Sequence, residues 1–388
     1  MEFATQHVER LFQKTGGDRY IWLVVIFLSI ISMLAVYSST GSLAFKYQSG
    51  DMEYYLIRQF GMIALGILLM YVAHKINYTF YSRIAQLLLL IAVPLLFITL
   101  IFGVEINDAR RWLTIPVVNI SFQTSDLAKL ALIMYTARAL AKNQGNIKDF
   151  KTGFLPVMLP VLIVCGLIAP SNLSTAAILF ATCLLLMFIG RVNMKYIGIM
   201  ALTGIALLAL IIVIAEFTSL HVRVDTWASR LHDFFGHNAE QYQVQQAKIA
   251  IANGGIFGVG PGNSTQRNFL PSPYSDFIYA IIVEEYGLIG AISLVILYLF
   301  FLLRCIKLFV KCPGAFGAFL AVGLSFGLVV QALINMAVVV HLLPTTGVTL
   351  PFVSMGGTSL WFTSVAIGII LSVSRNVEEE NEDEPATA

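Results

Sequence analysis

Charge is what this sequence has least of. Of its 388 residues only 12% are Asp, Glu, Lys or Arg, about half the ~25% of an ordinary soluble domain. The 24 basic and 22 acidic side chains cannot cover the surface of a soluble protein of this length, so a soluble enzyme is excluded. The near cancellation to a net +2, with no clustered basic run, also excludes a nucleic-acid-binding surface. Cysteine is equally scarce. Cys165, Cys183, Cys305 and Cys312 lie in or beside apolar runs without CxxC spacing, which points to buried thiols and away from disulfides or a thiolate metal site. Residues 1–19 carry mixed charge, and the apolar run from Tyr20 has no small-residue cleavage site. That run is therefore expected to stay as an anchor.

Apolar residues stand where charge is missing: 58% of the chain is AVILMFWYC and the mean hydropathy is +0.81. A hydrocarbon core of ~30 Å needs about 20 mostly apolar residues per helix. Ten such runs occur, at 20–38, 56–73, 84–103, 127–141, 154–169, 173–190, 197–217, 277–303, 315–341 and 359–374. The expected fold is an all-α polytopic membrane protein with ten transmembrane helices. The fourth run is interrupted by Lys129 and Arg138, and Pro170-Ser171-Asn172 is a tight turn separating the fifth from the sixth.

Lys and Arg in the short loops set the orientation. With the N-terminus inside, Lys75, Arg83, Lys142, Arg191, Arg304, Arg375 and eight others face the cytoplasm, against Lys46, Arg110 and Arg111 outside. Both termini are then cytoplasmic. The expected organisation is a cytoplasmic tail (1–19), helices 1–7 (20–217), a large extracytoplasmic loop between helices 7 and 8 (218–276), helices 8–10 (277–375) and an acidic cytoplasmic tail (376–388). That tail holds Glu378, Glu379, Glu380, Glu382, Asp383 and Glu384 and reads as a solvated terminus.

Three outer segments, 104–125, 218–276 and 342–358, are too polar or too irregular to be mere connectors. The second carries Trp227, Phe234, Phe235 and Tyr242 and a helical stretch over 239–253. The third has three glycines and no charge, and irregular backbone beside a membrane is tolerated only if packed in protein or lining a cavity.

Asp276 is the leading chemical candidate: it lies where the long loop enters the eighth run. The simpler reading is a helix N-cap. The two roles are compatible, because partial desolvation raises a carboxylate toward the range of a general base. Glu284 and Glu285, inside the same run, point about 100° apart and read either as a structural pair satisfied by cations such as Arg58 or Lys129 or as direct participants in catalysis, the structural reading being the simpler. Asp126 and Lys129 are one helical turn apart and can pair, which would present a cation to an anionic ligand or form a plain surface ion pair. Arg110 and Arg111 suit a phosphate or pyrophosphate, and Trp112 a sugar face or the membrane interface. The glycines at 254, 255, 258, 260 and 262 lack the strand and the Gly-Lys-Ser/Thr of a nucleotide loop and read as a compact turn-rich segment. His221, His232 and His237 fit no zinc spacing.

Taken together these stretches resemble the SEDS family of polytopic peptidoglycan glycosyltransferases. Ala109-Arg110-Arg111-Trp112 resembles one family element. Gln123, Ser125 and Lys129 match a second, with Thr124 and Asp126 where the family has Pro and Glu. A third runs from Gly258 through Pro271 into Asp276, Phe277, Glu284, Glu285 and Gly287. A fourth holds Gln331, Asn335, Pro344, Gly347, Pro351, Ser354, Gly356, Gly357 and Ser359. The chain departs from the family at Ser272 and Tyr274-Ser275, where Glu and His-Thr are usual, at Asn172 (Asp) and at His341 (Gly).

The resemblance implies a ten-helix bundle, Asp276 as the essential carboxylate, and lipid II as substrate, polymerised into β-1,4 glycan at the outer face of the cytoplasmic membrane. It implies substrate contacts from Arg110, Arg111, Trp112, Gln123, Ser125, Lys129, Asn335, Ser354, Gly356 and Gly357, with Asp126, Glu284 and Glu285 in supporting roles. A divalent cation, Mg or Mn, could share the stabilisation of the leaving pyrophosphate. Expected partners are a class B penicillin-binding protein and other membrane proteins of the division complex, since the stretch 269–287 is closer to division-type than to elongation-type members. The rival classes are a lipid II flippase and a non-catalytic scaffold.

Overall fold

Helix boundaries follow from caps that satisfy the free N–H groups of each first turn. The computed structural model describes residues 16–47, 51–106, 109–115, 120–217, 230, 234–235 and 242–383. The Asp18 side chain accepts from Tyr20 N at the start of α1 (Arg19–Ser39), and Asp51 does the same for α3 (Met52–Lys75), after the short α2 (Gly41–Tyr47). Asn77 caps α4 (Tyr78–Phe102). Beyond the 104–123 segment come α5 (Thr124–Lys142), α6 (Leu155–Ile168, entered through a π turn at Phe150–Phe154), α7 (Leu173–Ile189, capped by Asn172) and α8 (Met194–Phe217). The chain continues through α9 (Tyr242–Gly254), α10 (Ile278–Lys311), α11 (Ala315–Val339) and α12 (Thr358–Asp383).

Seven helices among the described residues are long and apolar enough to cross a membrane, and Leu173–Ile189 and Met194–Leu210 are shorter apolar helices. This is an integral membrane protein. Helix α5 is not among them, because Asp126, Lys129, Arg138 and Lys142 dilute it. It tolerates those charges by lying inside the bundle: Ala128, Leu132, Met134, Ala137 and Leu140 have no exposure. Helices α11 and α12 are also central, with 67% of their apolar windows buried against 28% for α3, α4 and α10. The outer helices turn residues such as Ile57, Leu90, Phe102 and Leu202 outward, the apolar perimeter that lipid requires.

The all-α expectation needs one correction. Residues 104–123 form a three-stranded antiparallel sheet, β1 (Val104–Ile106), β2 (Ala109–Ile115) and β3 (Ile120–Gln123). Trp112 faces Gln123 and Thr114 faces Ser121 across it. The acidic tail continues α12 as helix to Asp383, with Glu378, Glu379 and Glu380 exposed. Gly17 N donates to the Glu378 carboxylate (2.8 Å) and Arg375 pairs with Glu379 (3.4 Å). At the same end Asp18 accepts from Arg304 Nε (2.8 Å) and its N–H donates to Ser374 Oγ (2.8 Å). The termini of α1, α10 and α12 are thereby clasped together.

Helix α10 is broken at Gly287, whose φ of +65° is outside the helical region. The break leaves carbonyls and N–H groups without helical partners, and the segment after α9 supplies them. Val259 N donates to Glu284 O (2.9 Å) and Gly260 N to Glu285 O (3.0 Å), while Leu288 N and Ile289 N donate to Gly255 O (2.9 Å) and Ile256 O (3.3 Å). The approach is closer than any side chain allows: a Cβ on Gly258 would lie 2.1 Å from Glu285 O, and one on Gly287 2.3 Å from Ile256 O. The turn-rich reading of residues 254–262 therefore gains a purpose, repair of a broken helix.

Gly258→Ala and Gly287→Ala should each destabilise the protein by more than about 1 kcal/mol. Gly61→Ala, at a helical position with open space around it, should stabilise by about 0.5–1 kcal/mol. Thermal unfolding in detergent checks both directions.

Candidate functional site

Asp276 sits on a segment held almost entirely by its backbone. Asn335 Nδ2 donates to Asp276 O and to Val348 O, both at 2.7 Å. Ser354 Oγ donates to Ser275 O (2.6 Å) and accepts from Leu350 N (2.9 Å), and Met355 N donates to Tyr274 O (2.9 Å). Three links on consecutive residues thus join 274–276 to α11 and to the irregular stretch after it. Asn335 Nδ2 and Ser354 Oγ, both on buried residues, are spent on this frame and position it, while Asn335 Oδ1 is buried without a hydrogen-bond partner among the described residues.

The side chain of Asp276 is left for other work. Phe277, and not Asp276, occupies the cap position of α10, where no side-chain cap bond forms, so the N-cap reading gives way. The carboxylate is half-buried and faces Gly347, where an added Cβ would lie 4.0 Å from Oδ2. Burial raises its pKa above the usual aspartate value; its own backbone N–H and the guanidiniums of Arg230 and Arg111 pull the other way without cancelling the rise.

Beside it opens a polar cavity of about 340 Å³ whose walls include Arg111, Gln123, Asp126, Lys129, Asn172, Gln331 and Gly347. Strand β2 delivers Arg111, whose Nε donates to Ser171 O (2.9 Å) in the turn between α6 and α7. The second turn of α5 delivers Lys129, whose Nζ is 2.8 Å from Asp126 Oδ1 and donates to Gln331 Oε1 at 3.3 Å. The i,i+3 pair therefore forms, and it faces a cavity. The other Asp126 oxygen, Oδ2, is buried without a hydrogen-bond partner among the described residues, an acceptor left unused beside the cavity that Asp126 lines. Gln123 lines the cavity and donates to Ser125 Oγ (2.8 Å), so Ser125 supports Gln123 from behind. Asp126, Lys129, Gln331 and Ser359 also border a second, largely apolar cavity of about 530 Å³ that runs inward between α5, α7, α11 and α12.

The remaining candidates fall elsewhere. Glu284 and Glu285 are fully buried, but not against Arg58 or Lys129. Glu284 accepts from Ser264 Oγ, Thr265 Oγ1 (2.9 Å), Gln266 N (3.2 Å) and Asn253 Nδ2 (3.4 Å). Glu285 accepts from Ser38 Oγ and Ser264 N (3.3 Å). Neutral donors from Ser38, Asn253 and the 264–266 turn, with Arg267 as the charge near Glu285, take the place of Arg58 and Lys129 and give the pair a structural role. Trp112 is half-buried in β2; of Arg110 the described feature is its backbone in the same strand. Gly356 and Gly357 are half-buried in the turn before α12. Residues 218–229, 231–233 and 236–241, with Trp227, His221, His232 and His237, lie outside the described residues, whereas Phe234 packs edge-on against His341 at 5.2 Å. His341 has a φ of +59° just after α11, a left-handed helix-end position where glycine is the usual choice. That is the physical reason for glycine in the pattern it departs from.

Sequence reasoning missed Asn172, Thr175 and Ser359 as cavity walls, and Arg230, whose NH1 donates to Thr345 O at 3.1 Å. Gln331 and Asn172 carried a signal as motif positions; Arg230 had none. Among the described residues no group of three or more His, Cys, Asp or Glu could hold a metal ion.

Residues 18–379 match the FtsW/RodA/SpoVE family, described as cell cycle proteins. Stage V sporulation protein E of Bacillus subtilis is 32% identical over 371 residues, 94% of this chain and 98% of that one. The Probable peptidoglycan glycosyltransferase FtsW of Geobacter sulfurreducens is 34% identical over 365 residues, 93% and 96% of the two chains. Among solved structures, a chain from a peptidoglycan synthase complex that coordinates polymerization and crosslinking superposes with a TM-score of 0.67 at 25% identity, over 93% of this chain and 98% of that one. The rod shape determining protein RodA of Thermus thermophilus shares the fold, with a TM-score of 0.66 at 23% identity over 93% and 97%. The matches run almost from end to end on both sides, and this chain belongs to the FtsW/RodA/SpoVE family.

Proposed function

We propose that this protein is a peptidoglycan glycosyltransferase that polymerises lipid II at the outer face of the cytoplasmic membrane, through ten membrane-spanning helices with both termini in the cytoplasm. One observation carries the reading: a carboxylate raised in pKa stands beside a polar cavity with Arg111 and Lys129 in its wall, and that cavity shares its floor with an apolar one. A sugar, a diphosphate and a hydrocarbon tail call for those three environments in that order.

Asp276 accepts the proton of the acceptor's GlcNAc 4-hydroxyl as that oxygen attacks C1 of the donor's MurNAc. The bond from C1 to the diphosphate oxygen breaks in the same displacement, the α linkage becomes β-1,4, and undecaprenyl pyrophosphate leaves. The donor linkage supplies the driving force, so no nucleotide is needed. Negative charge builds on the departing diphosphate, where Arg111 and Lys129 act as preorganised cations, with Arg110 as the lesser candidate. The apolar cavity takes the first isoprene units of a tail and holds the reacting carbon against the acid. A class B penicillin-binding protein is the proposed partner, with other membrane proteins of the division complex.

Asp276→Asn should abolish glycan formation from lipid II in detergent. Because the folded pKa lies above the unfolded one, ionising this carboxylate weakens the fold as pH rises past its unfolded value. The neutral Asn should therefore leave the thermal midpoint unchanged or higher. In the wild type the acid limb of the rate profile should lie above the ordinary aspartate range; glycan made by the purified variant would refute the assignment.

Lys129→Met should slow polymerisation about a hundredfold and also lower the thermal midpoint, since it strands buried Asp126. Adding Asp126→Asn should restore the midpoint without restoring the rate. Recovery of both would make the pair merely structural.

A division role, in septal wall synthesis, follows from the resemblance over 269–287. Depletion should give filaments, whereas rounded cells would reassign the protein to elongation.

A further inference from the structure

A second cavity, about 780 Å³, opens between α2, the first turns of α3, Tyr274 and the turn before α12. Tyr55, Arg58, Met62, Tyr274, Met355 and Gly357 line it. Arg58 lies in the apolar helix α3, two turns from its start, and is exposed. It has no hydrogen bond or ion pair among the described residues. The wall is fixed in place: Gln59 Nε2 donates to Ser32 Oγ (2.9 Å), which donates to Val353 O (2.8 Å). Met355 N holds Tyr274 O from the same side. The segment 274–276 therefore borders both cavities: Tyr274 lines the one with Arg58, and Asp276 stands beside Gly347 in the wall of the one with Arg111 and Lys129.

An arginine without a partner beside a space lined by aromatic and thioether groups fits an anion carried on a lipid. The polymerase reading, on which this inference rests, requires two such anions. The donor loses its diphosphate, but the acceptor keeps its own through the reaction and needs a cation that is not the leaving-group site. We propose that the Arg58 cavity binds the acceptor's polyprenyl diphosphate. Each addition then leaves the lengthened glycan hanging from the Arg58 side, and the chain must pass the Tyr274–Asp276 segment before it can act as donor again.

The probe is undecaprenyl pyrophosphate, which carries no sugar and cannot react, counted on the full chain in detergent by native mass spectrometry. Two equivalents are expected on the wild type. Arg58→Ala should weaken one at least tenfold, Arg58→Lys should retain part of it, and Arg111→Ala should weaken the other. With lipid II, Arg58→Ala should raise the half-saturating concentration at least tenfold while the acid limb attributed to Asp276 stays in place. A single equivalent on the wild type, two equivalents undiminished by Arg58→Ala, or equal occupancy of the Arg58 site by phosphatidylglycerol would each overturn the proposal. If the wild type makes no glycan yet Arg58-dependent diphosphate binding persists, the polymerase reading falls and the lipid-diphosphate site stands.

Discussion

The structure depends on one constraint: within and beside a hydrocarbon layer every backbone donor and acceptor must find a partner in the protein. Most helices meet it internally. Helix α10 does not, because Gly287 breaks it, and the stretch between α11 and α12 does not, because it is irregular. Both sites of failure are repaired from elsewhere in the chain, the first by residues 255–260 and the second by Gln331, Asn335 and Ser354. These repairs create a fixed, non-helical surface next to the membrane, and the cavities open there. A bundle of uninterrupted helices would have left no backbone free to bend around a carboxylate.

The same constraint sorts the polar residues into two groups that look alike in a sequence. Glu284, Glu285, Asn335 and Ser354 hold backbone or turns; Arg111, Gln123, Asp126 and Lys129 face a cavity. Their hydrogen-bond accounts differ. The two glutamates accept from several donors each, whereas one oxygen of Asp126 has no partner among the described residues. A buried acceptor left open costs about 1–3 kcal/mol, a cost consistent with its use by a ligand hydroxyl. The raised pKa of Asp276 has the same origin, since the fold that positions its backbone provides little solvation for its charge.

How much of this could be read beforehand varied with the range of the interaction. Each of the ten apolar runs coincides with a helix, because a run of about 20 apolar residues is a local property. The Asp126–Lys129 contact was legible because helical spacing alone brings i and i+3 together. The sheet over 104–123 was not: its strands are three, seven and four residues long, too short for a convincing period of two. The partners of Glu284 lie about twenty residues earlier, in a turn whose path no periodicity reveals. Asp276 was read as compatible with an N-cap, a local rule, and the tertiary frame around residues 274–276 removed it from that position.

The most informative position is therefore not the acid but the segment carrying it. Residues 274–276 are tied by main-chain bonds on consecutive residues, more fixation than a connector needs and more than a proton acceptor alone would demand. Such rigidity is explained if the segment must keep two charged lipid headgroups apart while letting one hydroxyl reach one carbon. Diphosphates placed together would repel, and a mobile segment would let them drift. On the proposed reading, a fixed segment bordering one cavity with Arg111 and Lys129 and another with Arg58 lowers that repulsion before the chemistry begins, and Asp276 would act between two substrates already held at their separate ends.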